Sequence, residues 1–384
     1  MRKDYFLFGL GSRIIMLGVF LLVNQKGSYN DASEIIYYAF QNLFEGTNPY
    51  STDYDLNWGT STFTQPFNYG PMTLLLLLPA MILPIWYNDL WIGMTVLINI
   101  YSFLTAEYIS QLGSRDMRMQ NRATISHEDK DPRQNQVLYY GGIFFWLIPV
   151  GTTCITVFIY APIFLAVVAF DKLRHPVISG VLISLAAMSY QLIYLFIPVF
   201  VIYHFKRGWR EAARFILGCL PALLLLLLFE LWPPGGVINS LFLYTGDMPY
   251  NKCPTCNNDF DQWSVFSIPR ILYNISDGAI QIGPLLRLIL VILLGALCLW
   301  YLFSHRFDQF EEFFLIRYLL AAVVGFTLTT NYGQSHYLIF LFPFLLYYYQ
   351  MKKPDFRKNK PIGAGILTWK DFDEYVTQNH ALPL

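Results

Sequence analysis

A chain of 384 residues could hold two soluble domains, but 55% hydrophobic, 18% aromatic and only 14% charged residues exclude an ordinary soluble composition. A formal net charge of zero argues against a nucleic-acid partner, and the class that remains is a polytopic membrane protein. The five cysteines do not make a disulfide scaffold, since Cys154, Cys219 and Cys298 lie inside apolar runs.

The first apolar run, Phe6 to Val23, is long for a removable leader and lacks a small-residue cleavage site, so it reads as a retained helix. Lipid cannot hydrogen-bond a bare backbone, so this run and those like it must be helical. Arg13 lies deep within it. An intramembrane charge invites a functional role, and snorkelling toward the headgroups is the simpler explanation.

A polar, acidic and aromatic interval follows, from Asn24 to Gly70. Asp31 is the leading candidate for a general base, because a carboxylate at a membrane surface can take the proton of an acceptor hydroxyl as a sugar or phosphate group is displaced. Glu34 is the reserve. The same Asp31-Ala-Ser-Glu34 spacing is also a capping box for a helix carrying Ile35, Ile36 and Ala39, and one residue can serve both ends. Gly46-Thr-Asn-Pro-Tyr50 terminates that helix, with Gly past the last turn and Pro beyond it. Asp53 and Asp55 read as solvated loop acids. Gln65, Asn68 and Tyr69 supply the hydrogen-bonding set that a sugar needs.

The next apolar segment, Pro71 to Trp86, is short and interrupted by Pro79 and Pro84. Charge decides its role. Bases gather at Arg115, Arg118, Arg122, Lys130 and Arg133, at Lys172 and Arg174, at Lys206, Arg207, Arg210 and Arg214, and in the tail from Lys352 to Lys360. The positive-inside rule puts all of these in the cytoplasm, with Arg2 and Lys3. If both Phe6 to Val23 and Pro71 to Trp86 crossed, the basic loop after Tyr108 would lie outside. Pro71 to Trp86 therefore reads as a juxtamembrane or re-entrant helix on the outer side.

The remaining spans number about ten, near 5–23, 89–110, 137–151, 154–170, 177–190, 191–205, 215–232, 285–303, 315–330 and 337–350. The expected fold class is an all-α polytopic membrane protein with juxtamembrane helices in its first external loop. It forms one integral-membrane domain over 1–384, with external loops at 24–88 and 233–284, a cytoplasmic tail at 351–384 and both termini in the cytoplasm.

Of the 26 basic residues only Lys26, Lys252, Arg270 and Arg287 then lie outside. A departing lipid phosphate needs cationic or hydrogen-bonding partners, and Lys252, Arg270, Arg287 and His336 are the available set. Arg287, near a helix end, reads equally as an interfacial anchor. His336, followed by Tyr337, reads equally as a helix cap or a headgroup contact. Cys253-Pro-Thr-Cys256 has the spacing of half a metal knuckle without its second pair, leaving a loop disulfide or two thiols. There is no phosphate-binding loop, dinucleotide fingerprint or zinc spacing, so ATP-driven transport is unsupported, no cofactor is implied, and a divalent metal has no motif behind it. A transporter or flippase of lipid-linked sugars would be expected to show repeated halves, and none is visible. A non-catalytic subunit of the same fold is the other rival.

Asp31, Tyr37-Tyr38-Ala39, Gly46-Thr-Asn-Pro-Tyr50, Phe67-Asn-Tyr-Gly-Pro71 with Leu74 to Pro79, and Gln334-Ser-His336-Tyr337-Leu338 with Pro343 occur in an order that resembles the membrane-embedded GT-C glycosyltransferases. The likeness is closest to the polyprenyl-phosphate-mannose-dependent mannosyltransferases of prokaryotic membranes, and Pro198 to Trp209 is similar to a helix ending in a short basic turn there. The resemblance implies an active site on the outer face of a prokaryotic plasma membrane. It also implies a polyprenyl-phosphate sugar donor, a glycan or glycolipid acceptor and inversion at the anomeric carbon. The base of that family corresponds to Asp31, and its later His-Tyr pair to His336 and Tyr337.

Overall fold

The computed structural model describes residues 31–58, 61–82, 157–243, 267–276, 279–280, 282–304, 311–329 and 343–345, with single positions at 97, 100, 101, 104, 105, 108 and 341. The chain divides into two compact units, Met1–Tyr348 and Tyr349–Leu384, and every element below belongs to the first. The expected spans 5–23 and 137–151, the basic loop between 113 and 136, Cys253 with Cys256, and the tail lie outside the described residues.

Helix α1, Asp31–Phe44, forms because Ile35, Ile36, Ala39 and Phe40 recur at helical spacing, and all four are fully buried. It ends as its sequence dictates. Gly46 takes φ 76, Thr47 N–H donates to Asn42 O at 2.7 Å and Gly46 N–H to Leu43 O at 3.2 Å, which is the Schellman closure.

The chain then departs from the all-α expectation. Strands β1, Asp53–Trp58, and β2, Ser61–Pro66, pair antiparallel, with Asp53 opposite Pro66 and Trp58 opposite Ser61. The cause is an alternation of Tyr54, Leu56 and Trp58 with Asp53, Asp55 and Asn57, a period of two that suits a half-buried strand. Tyr54 is buried while Asp53 and Asp55 are exposed, so those acids are solvated as expected, but on a strand. Tyr38 of α1 stacks on Tyr54 with ring centroids 6.1 Å apart, holding the hairpin along the helix.

Helix α2, Pro71–Ile82, is 12 residues long. At 1.5 Å per residue that is about 18 Å, well short of a hydrocarbon core about 30 Å thick. Its start is pinned. Met72 N–H donates to Met188 O at 3.1 Å and Thr73 Oγ1 to Ser189 O at 2.9 Å. A Cβ on Gly70 would lie 1.8 Å from Met188 O, so only glycine fits there.

The bundle is built from α3, Val157–Asp171, α4, Pro176–Ala187, a 3₁₀ turn Gln191–Phe196, α5, Ile197–Arg207, and α6, Trp209–Leu231. Helices α7, Ile268–Ile275, α8, Gly283–Phe303, and α9, Glu311–Thr329, are the others among the described residues. Two of them are long and apolar enough to cross a membrane, at Trp209–Leu231 and Leu285–Phe303. Only 28% and 17% of their apolar windows are buried, whereas the core helix of a soluble protein would be mostly covered. Exposed Leu217, Leu220, Leu224, Leu228 and Leu231 on α6, and Leu285, Leu288, Ile292 and Phe303 on α8, need an apolar solvent.

Among the described helices the tightest contact is α4 against α6. A Cβ on Gly180 would meet Phe215 O at 2.2 Å, and one on Gly218 would meet Val177 O at 2.2 Å, so the two backbones touch across paired glycines. Small residues permit this approach where apolar solvent gives the helices little hydrophobic reason to associate.

Val177 of α4 meets Gly218 of α6, and His204 of α5 stacks on Phe215 of α6 at 4.9 Å, which gathers the start of α4, the end of α5 and the start of α6. One end of the bundle therefore carries Lys172, Arg174, Lys206, Arg207, Arg210 and Arg214. There Lys206 Nζ donates to Ser304 O at 2.8 Å and lies 4.6 Å from the Tyr301 ring centroid, and Tyr108 OH donates to Asp171 Oδ2 at 2.6 Å. The other end carries the loop after α1, Gly70, Gln191 and Trp232.

Candidate functional site

At that second end, loops from four parts of the chain are tied by amide side chains. Asn48 is fully buried. Its Nδ2 donates to Phe229 O at 2.8 Å, in the last turn of α6, and to Trp232 O at 2.7 Å, a carbonyl that Gly235 N–H also engages at 2.8 Å. Its Oδ1 accepts from Tyr50 N–H at 3.0 Å. Gln191 Nε2 donates to Asn68 O at 3.2 Å and Leu241 O at 3.1 Å, joining the segment before α2 to the turn Asn239–Leu243.

Tyr50 sits between these amides. Its hydroxyl donates to Tyr69 O at 2.6 Å, and its ring packs against Phe67 at 5.1 Å and Phe229 at 5.8 Å. Burial first, then the nearby Tyr194 and Tyr54 phenols, hold the Tyr50 hydroxyl well above the ordinary range, so it stays a neutral donor. Tyr54 OH donates to Pro49 O at 2.7 Å and accepts from Asn42 Nδ2 at 2.9 Å; burial raises this phenol too, against the opposing hydrogen bonds of Thr52 and Asn42. Gly236, at φ 112, closes the far side, where a Cβ would stand 2.6 Å from Tyr50 O.

One group in the knot is left over. Asn68 Oδ1 is buried and accepts no hydrogen bond from the described residues. A buried amide oxygen without a donor is uncommon, because its desolvation is uncompensated. It is an acceptor waiting for a hydroxyl or an N–H.

Asn68 and Tyr69 are thus placed together by the fold. Gln65 lies on β2 opposite Tyr54. Asp31 and Glu34 occupy the first turn of α1. From there to Phe44 the helix rises about 20 Å, so the acids and Asn48 belong to opposite ends of α1. Arg270 lies on α7, and Arg287 in the early part of α8. Lys252, His336 and Tyr337 lie outside the described residues. Among the described residues no three His, Cys, Asp or Glu side chains converge as metal ligands would.

Sequence reasoning passed over Asn48, Tyr50, Gln191 and Gly236. Asn48 and Tyr50 lie in the Gly46-to-Tyr50 stretch, whose local sequence signal is helix termination. Gln191 carried a signal, since it is an amide set between the apolar stretches 176–187 and 192–202.

The family model of glycosyltransferase family 87 matches residues 67–330, and no curated protein matches the chain. The match begins at Phe67, takes in Asn68, Tyr69, Gln191 and Gly236, and leaves out Asp31 and His336. It covers well over half of the chain, and the protein belongs to glycosyltransferase family 87, a family of GT-C-type membrane glycosyltransferases.

Proposed function

We propose that the protein moves a hexose such as mannose from a polyprenyl-phosphate donor to a glycan or glycolipid acceptor at the outer face of a prokaryotic plasma membrane. In this reading about ten helices cross the bilayer and both termini are cytoplasmic. Asp31 takes the acceptor proton, with Glu34 in reserve, and the anomeric carbon inverts as the lipid phosphate leaves. Lys252, Arg270 and His336, with Tyr337, receive the developing phosphate charge. Gln65, Asn68 and Tyr69 orient the sugar chain of a glycan substrate that extends about 20 Å from the Asp31 end of α1.

The observation that carries this proposal is the unmatched Asn68 Oδ1, held by a rigid amide knot at the end of the bundle away from the basic cluster. A sugar hydroxyl is the donor that would satisfy it. Among the described residues the knot holds no cationic side chain, which favours a neutral sugar there and a phosphate elsewhere, in keeping with separate roles for Asn68 and Arg270.

The test uses the purified full chain with a panel of synthetic polyprenyl-phosphate hexoses. The Asp31→Asn variant should lose at least about 100-fold in transfer, the scale of a lost general base, while its melting curve stays in place. Undiminished turnover would sink the role of Asp31. Donor lipid bound without any turnover by the wild type, across the whole panel, would favour a transporter or a non-catalytic subunit instead.

A further inference from the structure

Helix α7, Ile268–Ile275, has three distinct sides. One packs against the bundle, where Pro269 is buried and the helix meets α8 and α9. A second carries Ile268, Ile271 and Ile275, spaced by three and four residues and 41%, 40% and 77% exposed. By helical register the third side holds positions 270 and 274, an Arg and an Asn.

The exposed isoleucines are not an isolated patch. A tight turn, with Ala279 N–H donating to Ser276 O at 3.0 Å and Ile280 N–H to Ser276 Oγ at 2.9 Å, leads from α7 toward the start of α8. Ile280 is exposed, and so are Leu285, Leu288, Ile289 and Ile292 beyond it. The apolar surface of α7 therefore runs on, along the chain, to the lipid-facing stripe of a membrane-crossing helix.

Depth follows from the same connection. The far end of α8 is Phe303, and the carbonyl of the capping residue Ser304 is held by Lys206 in the basic cluster. Helix α7 adjoins the opposite end, where α8 leaves the hydrocarbon. A short helix there, with one apolar exposed side and polar positions facing away from it, matches the chemistry of a helix lying in the membrane surface.

We infer that α7 is an interfacial helix, with Ile268, Ile271 and Ile275 immersed at the hydrocarbon edge of the leaflet opposite the basic cluster. The partner of this face is the bilayer surface itself. The arrangement holds position 270 at the depth of lipid phosphates, so any phosphate that Arg270 engages must be presented from the membrane. The inference rests on membrane insertion and stands whether or not a sugar is transferred.

The experiment places a fluorescent non-natural amino acid at 271, 274 or 275 of the full chain, one site at a time, with position 288 as an insertion reference. Each protein is reconstituted in phosphatidylcholine vesicles whose acyl chains are brominated near the carboxyl end, and iodide is the aqueous quencher. Bromolipid should quench positions 271 and 275 at least about threefold more than position 274, with the order reversed for iodide. Iodide quenching of 271 and 275 equal to that of 274 would overturn the inference. So would failure of both quenchers at 271 and 275, which would mean that protein covers this face.

Discussion

The two ends of the helix bundle are closed by different chemistry. At one end Lys206 and Arg207 reach a carbonyl, a hydroxyl and aromatic faces, and the surrounding bases remain near solvent. At the other end Asn48 and Gln191 span four backbone carbonyls, and neutral tyrosines fill the space between. Long cationic side chains keep an end near headgroups and water and tolerate rearrangement. Buried amides demand fixed geometry, since each lost bond leaves a desolvated carbonyl. The amide end is therefore the rigid one, which is what a site that orients a neutral sugar requires.

The sharpest way to break this contrast is Gly70→Ala. A Cβ 1.8 Å from Met188 O cannot be absorbed by a side-chain rotation, because the obstacle is backbone. The substitution should cost about 3 kcal/mol or more, read as a fall in melting temperature in detergent. A melting temperature equal to wild type would mean that the knot is loose.

Next comes pH. The Tyr50 phenol is held above its ordinary value of 10.0 in the folded protein, so its contribution to stability is complete below that pH and is lost as pH rises above it. Alkaline denaturation should steepen above about pH 10, and Tyr50→Phe, at a cost of about 1 kcal/mol for the bond to Tyr69 O, should flatten it. The same alkaline slope in both proteins would remove Tyr50 from the account.

At the basic end Lys206→Met should cost no more than about 1 kcal/mol, because a partly exposed cation over a ring is worth little more than that. A loss as large as that of Gly70→Ala would erase the contrast between the ends. The smallest stability effect belongs to Asn68→Leu. Its side-chain oxygen has no donor among the described residues to lose, so melting should shift by less than about 0.5 kcal/mol equivalent. Transfer should still fall about tenfold, in line with one lost hydrogen bond to substrate. Unchanged transfer would leave Asn68 without a functional role.

Much of the helical architecture was legible from residue order. Apolar runs located α6 and α8, and Gly46 ended α1 where its sequence said it must. The hairpin was missed although its period was visible, because Asp53 and Asp55 were read by charge alone. The site was legible in part. Asn68 and Tyr69 were singled out as hydrogen-bonding residues, but Asn48 and Gln191 act through carbonyls that are distant in sequence. Asn48 reaches Phe229 across 181 positions and Gln191 reaches Asn68 across 123, and no local pattern encodes such a pairing.

By itself, the sequence determined that this protein lives in a membrane and that its charges are segregated. Both follow from solvation, which is a property of each residue and its near neighbours. Only the tertiary structure decided which polar groups of the amide knot are satisfied and which is left over among the described residues. That outcome depends on where backbone carbonyls from separate helices come to rest, and it is set by packing contacts such as Gly180 on Gly218 and Gly70 on Met188. The spare oxygen of Asn68 is a product of those contacts, and it is the feature on which the proposed chemistry turns.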